Sequence, residues 1–173
     1  MKLKEYLVID GYNIINAWQE LKAISRTDLE AARDRLVEIM LEYSAFSGVE
    51  VIIVFDAYRV KGGSEVEIKH PKVTVIYTRE NQTADSYIEK VIGELGRYSL
   101  IRVATNDGAQ QQIVLGRGSA RLTARELEMH IQNSKGNIKK RTKDPVTKMT
   151  LADRLKDFDE EAFIKLESMR KKG

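Results

Sequence analysis

One unit recurs along this chain and restricts its fold more than any other feature. It is a short apolar run, an aspartate at or just past its end, and then a stretch of helical spacing. Tyr6–Ile9 leads into Asp10, Val51–Phe55 into Asp56, and Leu100–Ala104 into Asp107. A further β-branched run, Val73–Tyr77, precedes Thr83-Ala84-Asp85. Runs this short, rich in valine and isoleucine, read as buried strands rather than helices. Between them, Leu29, Ala32, Leu36, Met40 and Tyr43 recur at helical spacing, as do Ile88, Val91, Ile92 and Leu95. Strands alternating with helices predict right-handed βαβ units and a mostly parallel sheet. The ends of such strands lie along one edge, where open α/β sheets bind their ligands.

Local signals set the expected element ends. Thr27-Asp28-Leu29-Glu30 and Thr123-Ala124-Arg125-Glu126 have the form of capping boxes, Thr83 is placed to cap a helix, and Gly48 is placed to end one. Residues 59–71 hold a glycine pair and many charges, and read as a loop. A short helix from Ala109 is expected to stop at Gly116 and Gly118. Ala120–Leu122 then offers a short fifth strand, and a helix follows to about Asn133.

The length of 173 residues suits one domain and an extension. We read residues 1–134 as the domain, 135–149 as a basic linker and 150–173 as a C-terminal helix with Leu151, Leu155, Phe158, Ala162 and Leu166 on one stripe. The net charge of +3 divides unevenly, since residues 1–134 carry 17 basic and 19 acidic side chains, and residues 135–173 carry 12 and 7. The positive charge therefore belongs to the tail, a mild bias toward a polyanionic partner. There is no cysteine, which excludes disulfides and thiolate metal sites. No stretch reads as a signal peptide or a membrane span, so we expect a cytoplasmic protein with no membrane partner. The residues carry no signal for an oligomeric state.

Each aspartate has an ordinary explanation. Asp10 and Asp107 stand beside glycines, a common turn pair, Asp85 falls in a first helical turn, and Asp56 can begin a loop. As a set they are more informative, because a parallel sheet brings all four positions to one edge. Converging carboxylates repel unless a cation sits among them. Oxygen donors without cysteine or a histidine pair suit Mg²⁺ or Mn²⁺. Such ions can activate a water and clamp the oxygens of an in-line phosphoryl displacement. Competing phosphate motifs are missing. There is no Gly-x-x-x-x-Gly-Lys loop, and Gly116-x-Gly118 follows a helix rather than the first strand.

Five segments occur in order: Ile9-Asp-Gly-Tyr-Asn13, Val54-Phe-Asp-Ala57, Thr83-Ala-Asp85, Val103-Ala-Thr-Asn-Asp107, and Ser119-Ala-Arg121 with Thr123-Ala-Arg-Glu-Leu127. In these the chain resembles the YacP-like branch of the NYN-domain ribonucleases, relatives of PIN domains, over roughly residues 6–131. The resemblance implies a PIN-like three-layer α/β/α fold with a mostly parallel sheet of four to five strands. It also implies divalent-metal endoribonuclease activity, on mRNA as the expected substrate, and association with the ribosome. It places the catalytic and metal-binding aspartates at Asp10, Asp85 and Asp107, with Asp56 as a further ligand and Asn13 beside Asp10.

Other residues are candidates for contact with RNA. Asn13 suits a phosphate or a helix cap equally. Thr105 and Asn106 suit a phosphate, an outer water of a bound ion, or plain turn chemistry. Arg117, Arg121 and Arg125 cluster beyond Asp107 and could donate in pairs to phosphates, or form a solvated face. Lys139, Lys140 and Arg141 lie in the basic run. Tyr12 and Tyr58 flank the aspartates and can stack on bases or pack at a rim. Glu89 lies one turn after Asp85, where it is either an outer carboxylate or a solvated charge. The rival class is a noncatalytic RNA- or ribosome-binding module on the same scaffold. A flap-type DNA nuclease is disfavoured by the lack of a helical arch or helix-hairpin-helix pattern.

Overall fold

The structure, a computed structural model, describes residues 2–57, 63–116 and 119–143, with backbone alone for Ile113, Leu115 and 137–143. Its elements run β1 (Lys4–Asp10), α1 (Gly11–Ala17), α2 (Gln19–Thr27), α3 (Leu29–Ser47), β2 (Glu50–Phe55), β3 (Val66–His70), β4 (Val73–Tyr77), α4 (Ala84–Leu95), β5 (Ser99–Ala104), α5 (Gly108–Gly116), β6 (Ala120–Leu122) and α6 (Ala124–Lys143). One sheet holds all six strands in the order β3-β4-β2-β1-β5-β6. Only the β3–β4 pairing is antiparallel.

Alternation along each strand builds two cores. Leu7, Ile9, Ile53 and Val75 face one side, against Ile14, Leu21, Leu36, Met40 and Leu127 from α1, α2, α3 and α6. Val8, Val54, Ile76 and Val103 face the other, against Ile88, Val91, Ile92 and Val114 from α4 and α5. Helices on both faces make the three-layer α/β/α arrangement. Each fully buried Leu or Ile contributes about 1.5–3 kcal/mol by leaving water, so the two faces are strongly tied to their registers. A one-residue slip would expose both sets.

The sheet departs from expectation at β3. Residues 59–71 read as a loop, yet Val66–His70 pairs with β4, giving six strands instead of four to five. All five of its residues are exposed. With no buried face there is no hydrophobic alternation to read, and the strand joins the sheet by backbone pairing with β4.

The helix ends show the local chemistry. Thr123 and Glu126 form the expected reciprocal box: Thr123 N–H donates to Glu126 Oε2 at 2.8 Å, and Glu126 N–H to Thr123 Oγ1 at 3.2 Å. Thr83 Oγ1 accepts from Ser86 N–H, and Gly48 closes α3 at φ +75°. The box at Thr27 is displaced by one residue. Asp28 caps α3 by accepting from Ala31 N–H at 3.1 Å, while Thr27 ends α2. Between α1 and α2 the chain turns at buried Trp18, whose Nε1–H donates to Ala124 O at 2.8 Å and ties this turn to the start of α6.

The chain divides into two units, Met1–Ser134 and Lys135–Gly173. Helix α6 continues to Lys143, beyond its expected end near Asn133 and into the stretch read as a linker. Lysine and arginine are good helix formers, and one interior glycine, Gly136, costs only about 1 kcal/mol. The expected helix over 150–173 lies outside the described residues.

Candidate active site

Sheet connectivity decides where a ligand fits. The chain leaves β1 toward β2 on one side, and leaves its other neighbour, β5, toward β6 on the opposite side. The crevice outside the carboxyl ends of β1 and β5 is therefore the topological switch point. Asp10 ends β1, and Asp107 lies just past β5.

Each aspartate is held by a helix start. Asp10 caps α1, its Oδ1 accepting from Asn13 N–H at 3.4 Å. Asp107 Oδ1 accepts from Ala109 N–H at 2.9 Å and Gln110 N–H at 3.3 Å, opening α5. Asp56, just past β2, accepts from Ala84 N–H at 3.4 Å through Oδ2 and so meets the first residue of α4. Asp85 sits in the first turn of α4 and accepts from Gln110 Nε2 at 2.7 Å. A recess of about 330 Å³ is lined by Asp10, Asn13, Asp56, Thr83 and Asp85.

The four carboxylates feel one another. Burial pushes Asp10 up to about 6, helped by the charges of Asp85, Asp107 and Asp56 and opposed by the Asn13 N–H. Asp85 is raised as well, first by desolvation and then by Asp107 and Asp56, against the Gln110 hydrogen bond. Among the described residues no three acidic side chains already stand at cation-binding distance. The donors are all oxygens, and one oxygen of each carboxylate is fixed by the protein, which suits a hard cation such as Mg²⁺ or Mn²⁺.

The asparagines beside the aspartates serve as struts. Asn13 Oδ1 accepts from Asn106 N–H at 2.8 Å, and Asn106 Oδ1 accepts from Ala124 N–H at 2.9 Å. This relay links α1, the loop after β5 and the start of α6, and it fixes the spacing of Asp10 and Asp107. Thr105 is fully buried, with its Oγ1 accepting from Asp107 N–H at 3.0 Å. It presents no surface to RNA, so the reading of Thr105 as an RNA contact is corrected to one of holding Asp107. Its burial follows from the extension of β5: Thr105 N–H still pairs with Leu122 O.

Arg121 and Arg125 are exposed, and Arg121 donates to Gln111 Oε1. Arg117 and Tyr58 lie outside the described residues, as do the side chains of Lys139, Lys140 and Arg141, although α6 carries their backbone. Glu89 is half-buried on α4.

Sequence reading missed Gln110. It is 3% exposed, and its Nε2–H holds Asp85 while its Oε1 is buried without a partner among the described residues. Its only signal was its position three residues after Asp107, which glutamine's ordinary place on helix surfaces obscures. Tyr12, read as stacking on bases or packing at a rim, has its ring 5.1 Å from that of Phe55, and its hydroxyl accepts from Arg33 Nη1 at 3.0 Å.

Comparison with known proteins agrees with this architecture. The YacP-like NYN domain family profile matches residues 7–171. The uncharacterized protein YacP of Bacillus subtilis (strain 168) is 39% identical over 162 residues, covering 90% of this chain and 95% of the relative. A crystal structure of Rae1 (YacP) from Bacillus subtilis, a single-residue mutant, superposes with a TM-score of 0.70 at 36% identity, over 87% of this chain and 89% of that one. A second crystal structure of Rae1 (YacP) gives 0.68 at 37% identity, over 99% and 95%. The chain belongs to the YacP-like NYN-domain family, a branch of the PIN-like nuclease superfamily.

Proposed function

We propose that this protein is a divalent-metal-dependent endoribonuclease that cuts single-stranded RNA at the crevice between β1 and β5. The observation that carries the reading is the electrostatic coupling of Asp10 to Asp56, Asp85 and Asp107 at the switch point. A carboxyl raised by burial and by neighbouring carboxylates, as Asp10 and Asp85 are, is a candidate cation ligand.

Asp10, Asp85 and Asp107 would hold Mg²⁺ or Mn²⁺, with Asp56 contributing directly or through a water. A bound cation would supply positive charge to the scissile phosphate and lower the pKa of a nearby water. The residues do the rest. Asp10, whose carboxyl burial pushes up to about 6, would hold a cation in its unprotonated form, so binding at or below that pH should release a proton. Gln110 aims Asp85, and Thr105 with the α5 N–H groups aims Asp107. The Asn13–Asn106 relay keeps the two sides of the crevice at fixed spacing. Hydrolysis adds a water oxygen to phosphorus and releases the leaving oxygen of the neighbouring nucleotide.

The family resemblance supports mRNA as substrate and the ribosome as the place of action, with the basic run at Lys139, Lys140 and Arg141 as a docking contact. A purified, end-labelled RNA should be cut with Mg²⁺ or Mn²⁺ and left intact with EDTA. Asp85→Asn should lower the rate by more than about 100-fold, beyond what outer-shell changes cost. Sedimentation with ribosomes tests the partner separately. Cleavage that persists in EDTA, or at full rate in Asp85→Asn, would refute the reading. RNA binding without cleavage under any metal would favour the noncatalytic module.

A further inference from the structure

A second recess, of about 460 Å³, adjoins the acidic one and is lined by Tyr12, Asn16, Lys22, Arg26, Leu29 and Asp56. Tyr12, Asn16 and Asp56 line both, so the two form one groove. The volume falls within the range of about 300–1,000 Å³ usual for ligand pockets.

Charge along the groove changes sign. The acidic recess has no cationic lining residue among those described, and a phosphate approaching it meets the carboxylates of Asp10, Asp56 and Asp85. Lys22 and Arg26 are the cations of the adjoining recess. They lie four residues apart on α2 and therefore share one of its faces. Both are exposed, and neither makes an ion pair among the described residues. The nearby Arg35, by contrast, is neutralised by Glu20 and Glu38. Two unneutralised cations facing a groove that ends in an acidic site form an anion subsite beside that site.

Tyr12 supplies the apolar wall at the junction. Its ring leans on Phe55 at 55°, Phe55 stacks on Tyr77 at 5.4 Å, and Arg33 fixes the hydroxyl. A ring held on two sides loses little freedom when a base covers it, which is the condition for a stacking platform. Gly11 makes this packing possible, because a Cβ there would collide with the Phe55 ring.

We infer that this recess is a nucleotide subsite for single-stranded RNA, with one base against Tyr12 and Leu29 and the adjoining backbone phosphates on Lys22 and Arg26. It deepens the nuclease reading and rests on it for the choice of RNA. The subsite anchors the strand next to the cleavage point, and it offsets the repulsion that the aspartates exert on the phosphate being cut.

The test is binding of a fluorescein-labelled hexauridylate to the full chain in EDTA, followed by anisotropy across a KCl series. Lys22→Ala/Arg26→Ala should weaken binding and flatten the slope of log K against log salt by about 1.4, at about 0.7 per phosphate contact. Tyr12→Leu should weaken binding by about tenfold or more with the slope unchanged, and Tyr12→Phe should keep wild-type affinity. Lys22→Gln/Arg26→Gln, with a matching melting curve, guards against a folding defect. Wild-type affinity and a parallel slope in the Lys22/Arg26 variants, or no hexamer binding by the wild type, would overturn the subsite. Cleavage is read separately with Mg²⁺ or Mn²⁺. A protein that binds through Lys22 and Arg26 but cuts nothing refutes the nuclease reading alone. One that cuts while the double variant binds normally refutes the subsite alone.

Discussion

Replacing Asp10 by asparagine isolates the electrostatic strain at the site. Asparagine retains an oxygen to accept the Asn13 N–H, so the cap of α1 survives while the charge goes. In the folded protein Asp10 titrates near 6 instead of its ordinary 3.8. The sign follows from proton binding. Between these two values the unfolded chain has lost the proton and the folded one keeps it, so the wild type loses stability as pH rises through the window. Below about pH 4 both states are protonated and nothing is lost; above about pH 6 the loss is complete. At 1.36 kcal/mol per unit, the full loss is at most about 3 kcal/mol. In EDTA, Asp10→Asn should therefore match the wild type at pH 3.5 and exceed it by up to about 3 kcal/mol at pH 7.5. That corresponds to a rise of about 6–12 °C in melting temperature. Urea unfolding of both proteins at half-unit pH steps reads the difference directly, and titrating groups not coupled to Asp10 cancel in it. A gain of equal size at pH 3.5 and 7.5 would refute the charge argument, as would a loss at pH 7.5. Saturating Mn²⁺ should reduce or reverse the difference, because the wild type, with all four carboxylates, then gains more from binding.

Other outcomes follow from single contacts. Asn106→Ala removes the acceptor for Ala124 N–H and should cost about 1 kcal/mol in thermal or urea unfolding; because the same loop positions Asp107, the cleavage rate should fall too. Gly11→Ala drives a methyl into Phe55 and should destabilise by about 1–3 kcal/mol, read by the same unfolding curves. Changing Lys139, Lys140 and Arg141 to alanine should lower RNA or ribosome affinity and flatten its salt dependence, leaving the cleavage of a short RNA at saturation unchanged; titrations in KCl check this.

The sequence by itself determined the layered plan and the list of acidic residues. Apolar runs with buried alternation have a code that reads locally, because a strand covered on both faces has no polar position to spare. Capping boxes read locally as well, since their hydrogen bonds close within one turn. Val66–His70 escaped because a strand exposed on every residue leaves no such code, and its pairing depends on where β4 happens to lie. The extent of α6 escaped because a basic run with a glycine is equally a linker or a helix until the rest of the chain is in place. At the site, the aspartates were visible because carboxylates at strand ends are costly without a purpose. What surrounds them was decided by tertiary structure alone. Thr105 was expected to meet RNA and is buried; Gln110 was passed over and holds Asp85. Asn13 reaches Asn106 across 93 positions of chain, and Trp18 reaches Ala124 across 106. Such contacts join segments whose separation in sequence says nothing of their distance in space, and the groove from the aspartates past Tyr12 to Lys22 and Arg26 exists only once α1 and α2 are packed on the sheet.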